Sequence, residues 1–351
     1  MHFNHPLSIW LVCSALVAPL VAAEPPVPSG PAGSASAAQP TVAPASVAPP
    51  VPAASSAPTP ATSAPASAQA QPTVPAATPS LASKSEDVDE VKAEVAVRAV
   101  PKLKELVARQ DALLAALGKE GDDQDNVKRD IQSLIFDYDV FLRTFPSFAP
   151  GYVTYGMLLG KVGMRRESTA MLLKANQIDS DIPLVKNQLG NYLAEEGEPV
   201  EAANYFISAV RLAPNEPLYH YQLGTLLFEA RDSFLKSGQW TRAQIDQNMQ
   251  DAFKHAAELA PGNVGFAYRY AQSFYELAEP NWDEALKVWG AMEDQAAPGL
   301  EKETLRLHAA NISIKQKKFD HVRVLLNTVT DERLKAQKQK LLDQLPANAE
   351  K

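Results

Sequence analysis

The sequence predicts an all-α chain: a solenoid of antiparallel helix pairs that follows a leader and a long segment unable to fold. Three observations predict it. From Ser85 onward apolar residues recur at i, i+3 and i+4 with few β-branched runs, the period of amphipathic helices. Matched residues return every 34 positions in the same region, as Gly156, Gly190 and Gly224 do, and a fixed period of that length marks a stack of repeated units. Residues 25–83, by contrast, hold no charged and no aromatic side chain and consist mostly of Pro, Ala, Ser and Thr. Such a segment buries too little apolar surface to offset the entropy of ordering it.

Residues 1–23 form the first element. Their apolar run from Leu7 to Ala18 ends in small residues, with Val21 and Ala23 at the −3 and −1 positions of a signal peptidase site, so cleavage is expected before Glu24. The run is too short to span a bilayer and Pro19 interrupts its end, so no integral membrane span is expected after cleavage. Cys13 is the only cysteine, and Val12 stands where a lipoprotein signal wants a small residue. It reads as a hydrophobic residue of the leader, which leaves the exported chain without thiol or disulfide chemistry. Residues 24–84 follow as a Pro/Ala/Ser-rich tether with a reach of about 3 Å per residue when extended. All 41 acidic and 33 basic side chains lie after residue 23, so the net charge of −8 belongs to the exported chain. That balance disfavours nucleic acid and anionic lipid as partners.

Residues 85–148 are expected to hold N-terminal helices and a degenerate first repeat. A long helical stretch covers Val88–Leu117 with Pro101 at the first turn of its second part, Gly121–Asn126 breaks the chain, and a further helix covers about Val127–Phe145. The acids of that break lack the D-x-D-x-[DN]-G order of a calcium loop and read as a helix cap. The repeats proper are 149–182, 183–216, 217–263, 264–299 and 303–336, and a helix at 332–345 would cover the apolar end of the stack. Counting from Ala149, positions 8, 20, 27 and 32 hold Gly156, Ser168, Ala175 and Ser180; counting from Pro183 they hold Gly190, Ala202, Ala209 and Pro214. Leu134, Tyr138, Phe141 and Pro146 match positions 20, 24, 27 and 32 of a preceding unit. The turns agree, as in Gly163-x-Arg165-x-x-Ser168 and Gly197-x-Pro199-x-x-Ala202. Small residues let two helices approach closely, and proline begins the next unit because it cannot continue a helix. In these positions about three quarters of the chain resembles the tetratricopeptide repeat (TPR) family. The resemblance implies a right-handed superhelical stack, and it says little about function because such units serve many unrelated systems.

Nothing in the chain argues for catalysis. The exported part has four histidines, His220, His255, His308 and His321, none at metal-ligand spacing from another. His220, at position 4 of its repeat, reads as a core residue, and His321 as a solvated turn residue. No G-x-S-x-G, H-E-x-x-H or phosphate-cradling glycine loop occurs. The pair Glu195–Glu196 reads as solvated at a helix end. No catalytic residue, cofactor or metal is expected.

The resemblance implies a groove lined by positions 2, 5, 6, 9 and 12 of each first helix. Those positions supply Asn187, Gln188 and Asn191 from the second unit, Tyr221, Gln222, Thr225 and Phe228 from the third, and Tyr268, Arg269, Gln272 and Tyr275 from the fourth. Amides can bond the backbone of an extended peptide, and tyrosines add contact area at low entropic cost. A chaperone-binding TPR subfamily uses a five-residue carboxylate clamp; Asn191 and Arg269 match it and Gln222 nearly does, but its two lysine positions hold Asn187 and Gly265. A generic peptide or protein loop is therefore the expected partner, not an acidic C-terminus.

One copy of the repeat is late. F-x-x-A-x-x-L-A-P occurs at Phe206–Pro214 and returns 47 residues on, at Phe253–Pro261, 13 more than the period. Placing Gly238 at position 15 and Ala243 at position 20 assigns 7 of the extra residues to the first helix and 6 to the second. The expected product is a projecting helical hairpin over 229–248, with a capping box at Thr241 and Gln244 and an apolar tip of Phe234, Leu235 and Trp240. The functional expectation is a non-enzymatic interaction scaffold of the bacterial cell envelope, periplasmic or secreted. The alternatives are a chaperone-like factor holding unfolded or outer-membrane clients, or a cell-wall-associated module. These features leave the oligomeric state open.

Overall fold

The computed structural model describes residues 81–117 and 124–346. The leader with Cys13, the tether up to residue 80 and the first part of the Gly121–Asn126 break lie outside the described residues. Fourteen α-helices and no strand occur among the described residues: α1 (Leu81–Ala116), α2 (Gln124–Thr144), α3 (Ala149–Lys161), α4 (Arg165–Ile178), α5 (Pro183–Glu195), α6 (Pro199–Leu212), α7 (Pro217–Glu229), α8 (Arg231–Ser237), α9 (Arg242–Leu259), α10 (Val264–Ser273), α11 (Trp282–Gln295), α12 (Leu300–Lys315), α13 (Phe319–Asn327) and α14 (Lys335–Leu342). None is long and apolar enough to cross a membrane.

Local sequence explains where they start and stop. Pro183, Pro199 and Pro217 open α5, α6 and α7, where a fixed φ is pre-organised and the missing N–H costs nothing. Gly163 and Gly197 follow α3 and α5 with φ of 84° and 86°, a left-handed bend that glycine adopts without strain. Pro101 departs from expectation, because α1 runs through it without a break. The carbonyl that loses its partner is that of Val97, whose side chain is 74% exposed, so water can satisfy it.

The pairs α3/α4, α5/α6 and α7/α9 pack antiparallel, and one contact organises each. The position-8 glycines Gly156, Gly190 and Gly224 meet the position-24 side chains Leu172, Phe206 and Phe253; a Cβ on each glycine would lie 3.0, 3.1 and 2.9 Å from those side chains. Position 24 runs through the chain as Tyr138, Leu172, Phe206, Phe253, Trp289 and Leu326, and none is more than 1% exposed. The fold is thus an all-α stack of TPR-type helix pairs. Its apolar side chains form three clusters: one spans α1 to α5, a second α5 to α12, and a third α12 to α14.

The late copy folds differently from the expected hairpin. Helix α7 keeps the 13-residue length of α3 and α5. Three residues separate α3 from α4, whereas twelve separate α7 from α9, and seven of these form α8. Helix α9 has 18 residues where α4 and α6 have 14, so nine residues between the helices and four at the start of α9 make up the 13. Ala243 is exposed, while Met249 is fully buried and stands four residues before Phe253, the place of position 20. All the added residues therefore precede Met249, and the Gly224–Phe253 contact regains its usual register. Nor does the insertion project. Phe234 is fully buried in the second cluster with Trp240 edge-on to it at 5.7 Å, and α8 lies against α6. Only Leu235, 38% exposed, keeps an outward position. An amphipathic seven-residue helix gains more by burying its phenylalanine than by standing in water. The capping box at Thr241 and Gln244 is present.

Candidate functional site

The face of interest is built on α5, α7 and α10, the first helices of three successive units. Helices α7 and α10 are neighbours there: the Tyr221 ring lies 4.9 Å from Phe266 and 5.9 Å from Phe253. The remainder of that face is amide-rich. Asn187, Gln188 and Asn191 are all buried, at 4, 6 and 5% exposure. The Oδ1 atoms of Asn187 and Asn191 and the Oε1 of Gln222 have no hydrogen-bond partner among the described residues. Unpaired buried acceptors carry a desolvation cost. Thr225 is already engaged, its hydroxyl donating to the Tyr221 carbonyl at 2.9 Å. Gln272 is half-buried on α10.

Arg269 lies between two rings, its guanidinium carbon 4.1 Å from the centroid of Phe228 and 4.6 Å from that of Phe253. The planar cation is held by ring quadrupoles rather than by a carboxylate. Burial lowers its pKa, against the opposing influence of Tyr221, Glu276 and Glu229. Phe228 also takes Arg231 at 5.6 Å, so one phenylalanine carries two guanidinium groups.

Tyr268 of α10 and Tyr275 of the 3-10 turn that follows it have a different role from the expected one of free contact surface. The hydroxyl of Tyr268 bonds Nε2 of His308 at 2.9 Å, and that of Tyr275 reaches His308 Nδ1 and its carbonyl, each at 3.4 Å. His308 stacks on Trp289 with centroids 4.0 Å apart and planes 4° from parallel. Burial pushes its pKa down to about 4, so it is neutral at pH 7. These four residues make a closed aromatic box joining α10, α11 and α12, and the tyrosine hydroxyls are spent inside it. Metal-ligand spacing gives no hint of this place for His308. The available signal was Trp289, which stands at position 24 once the two extra residues of its unit are counted. Elsewhere, His220 is 8% exposed and stacks on His255 at 5.3 Å, as a packed residue would. Glu195 is not simply solvated, since it pairs with Arg165.

Among the described residues, no group of three or more His, Cys, Asp or Glu side chains is placed to hold a metal ion. What the face offers chemically is amide and guanidinium recognition on an aromatic floor.

By its own packing the fold is a stack of TPR-type helix pairs. Compared by sequence, the chain matches no protein-family model and no curated protein. Among solved structures it is similar to YrrB, described as a TPR protein with an unusual peptide-binding site, at 19% identity and a TM-score of 0.46 over 59% of this chain and 97% of that one. It is also similar to PilF of Pseudomonas aeruginosa, at 15% identity and a TM-score of 0.41, with 69% of this chain and 100% of that one covered. MamA gives 17% identity and a TM-score of 0.37 over 57% of this chain and 99% of that one.

Proposed function

We propose that the protein is a non-enzymatic interaction scaffold of the bacterial cell envelope, and that the face of α5, α7 and α10 holds an extended peptide segment of a partner protein. The observation that carries this reading is the set of three amide oxygens on Asn187, Asn191 and Gln222 with no partner among the described residues; each is shut off from solvent, so a peptide meets it by turning the amide outward. An extended peptide brings one N–H donor and one carbonyl acceptor per residue, the complement of a row of carboxamides. Tyr221 and Phe228 supply the apolar floor beneath it, and Arg269 the donors at its far end. The envelope location rests on the leader pattern of residues 1–23 and the uncharged tether behind it.

Two measurements test the reading. A peptide library displayed to the exported chain should enrich binders, and Asn191→Ala combined with Gln222→Ala should weaken them by about tenfold or more, as two lost hydrogen bonds would. N-methylation of the peptide backbone should weaken them equally. Failure of the library to enrich any binder, or binders indifferent to both changes, would end the peptide reading. Sequencing the native protein should find Glu24 at its N-terminus; Met1 there would contradict export by a cleaved leader.

A further inference from the structure

Two irregularities interrupt the repeat, and the structure makes them the two sides of one contact. The third unit carries 13 added residues, from which come Arg231 of α8 and Arg242 at the start of α9; Asp246 stands directly after them, on the next turn of α9. The fourth unit has a first helix of only ten residues, whose end tightens into a 3-10 turn at Phe274–Glu276. A helix that stops early leaves carbonyls without intrahelical partners, and these must be met by other donors. Here they are met by the insertion. The carbonyl of Glu276 accepts from Arg242 Nη2 at 2.7 Å and from Arg231 Nη2 at 3.3 Å. Two residues on, the backbone N–H of Ala278 donates to Asp246 Oδ2 at 2.9 Å. Asp246 closes the arrangement by accepting from Arg242 Nε on both oxygens at 2.8 Å, with Arg231 3.5 Å away. Its side chain is only 8% exposed and that of Arg231 14%, while Arg242 keeps contact with solvent, so Asp246 is a buried carboxylate offset by two guanidinium groups.

We propose that the insertion and the turn of α9 that follows it form an intramolecular clasp, with Asp246 as the positioning residue that holds the end of the next unit's first helix and thereby sets Arg269 on the groove face and Tyr275 in its aromatic box. Arg231, the arm on α8, also lies over Phe228, the ring beneath Arg269. Tyr275 immediately precedes the seized carbonyl of Glu276. Neighbouring units meet chiefly through their packed helix faces; the first and second also share the Arg165–Glu195 pair, but the third and fourth share a cluster that takes both a backbone carbonyl and a backbone N–H. The clasp goes beyond the peptide reading and does not depend on it, since its test uses no ligand.

Hydrogen exchange across residues 274–281 of the full exported chain decides the matter. Asp246→Asn, which keeps the size and removes the charge, should speed exchange at Ala278 by about tenfold or more while leaving α3 to α6 unchanged. Arg231→Gln should produce a smaller effect at the same amides, and it serves if the aspartate variant folds poorly. The double exchange Arg242→Asp with Asp246→Arg restores an opposite-charge pair at i and i+4 on α9 but leaves Ala278 without its acceptor, so protection should stay lost. Recovery of protection in that double variant would reduce Asp246 to a stabiliser of its own helix and overturn the clasp. Unchanged exchange in Asp246→Asn, or equal acceleration through α3 to α6, would overturn it too.

Discussion

Asn191 combines 5% exposure with an amide oxygen that has no partner among the described residues. A residue kept for stability alone would not hold a group so costly to bury. Asn191→Leu, which preserves shape and removes the polar atoms, is expected to raise stability by about 1 kcal/mol in the absence of ligand, measured by urea unfolding. A fall in stability would show the amide to be structural. His308 is the second case at this scale, and its expectation concerns pH. Its pKa falls from 6.5 to about 4 on folding because burial disfavours the charged ring. Between those values the unfolded chain binds the extra proton and the folded chain does not, so stability rises with pH across the window. The contribution is complete above about pH 6.5 and is lost as pH falls toward 4, up to ~3 kcal/mol in all. The unfolding midpoint of His308→Gln should change less between pH 7 and pH 4.5 than that of the parent, and equal changes would place the effect elsewhere.

Among the elements, the left-handed turn between paired helices gives the sharpest contrast. Gly163 and Gly197 occupy it in the first two units, but the fifth has Lys317 there with φ of 59°. A Cβ in that region costs about 1 kcal/mol, so Lys317→Gly should stabilise the chain by roughly that amount, read as a higher melting temperature. The opposite holds at Gly224, where a Cβ would lie 2.9 Å from the ring of Phe253. Gly224→Ala should cost about 1–3 kcal/mol because the ring has no free space behind it. The element that sequence reading misjudged was the insertion. Helical periodicity was legible in SFLKSGQWTRAQ, as was the capping box. Whether Phe234 faced water or α6 was not legible, because the partner surface belongs to another unit and no local pattern encodes it.

At the scale of the whole molecule, the described residues form a linear series of contacts within units and between neighbouring units. The α3/α4 and α5/α6 pairs were readable because every contact that makes them falls within one period, so residue spacing alone sets which side chains meet. The candidate face was readable to the same degree: its residue positions followed from the repeat, but what each side chain does there did not. Arg269 rests on Phe228 and Phe253, 41 and 16 residues earlier, and Tyr268 bonds a histidine 40 residues later.

The sequence by itself determined that the chain is a stack of helix pairs, that glycines at position 8 admit large side chains at position 24, and that residues 25–83 carry no means of building a core. Those are consequences of composition and period, which act over a few turns of helix. Only the tertiary structure decided that the insertion folds inward, that Asp246 grips the following unit, and that three amide oxygens on α5 and α7 find no partner among the described residues. Each of these depends on which surfaces of different units come together once the period is broken, and packing between units settles that.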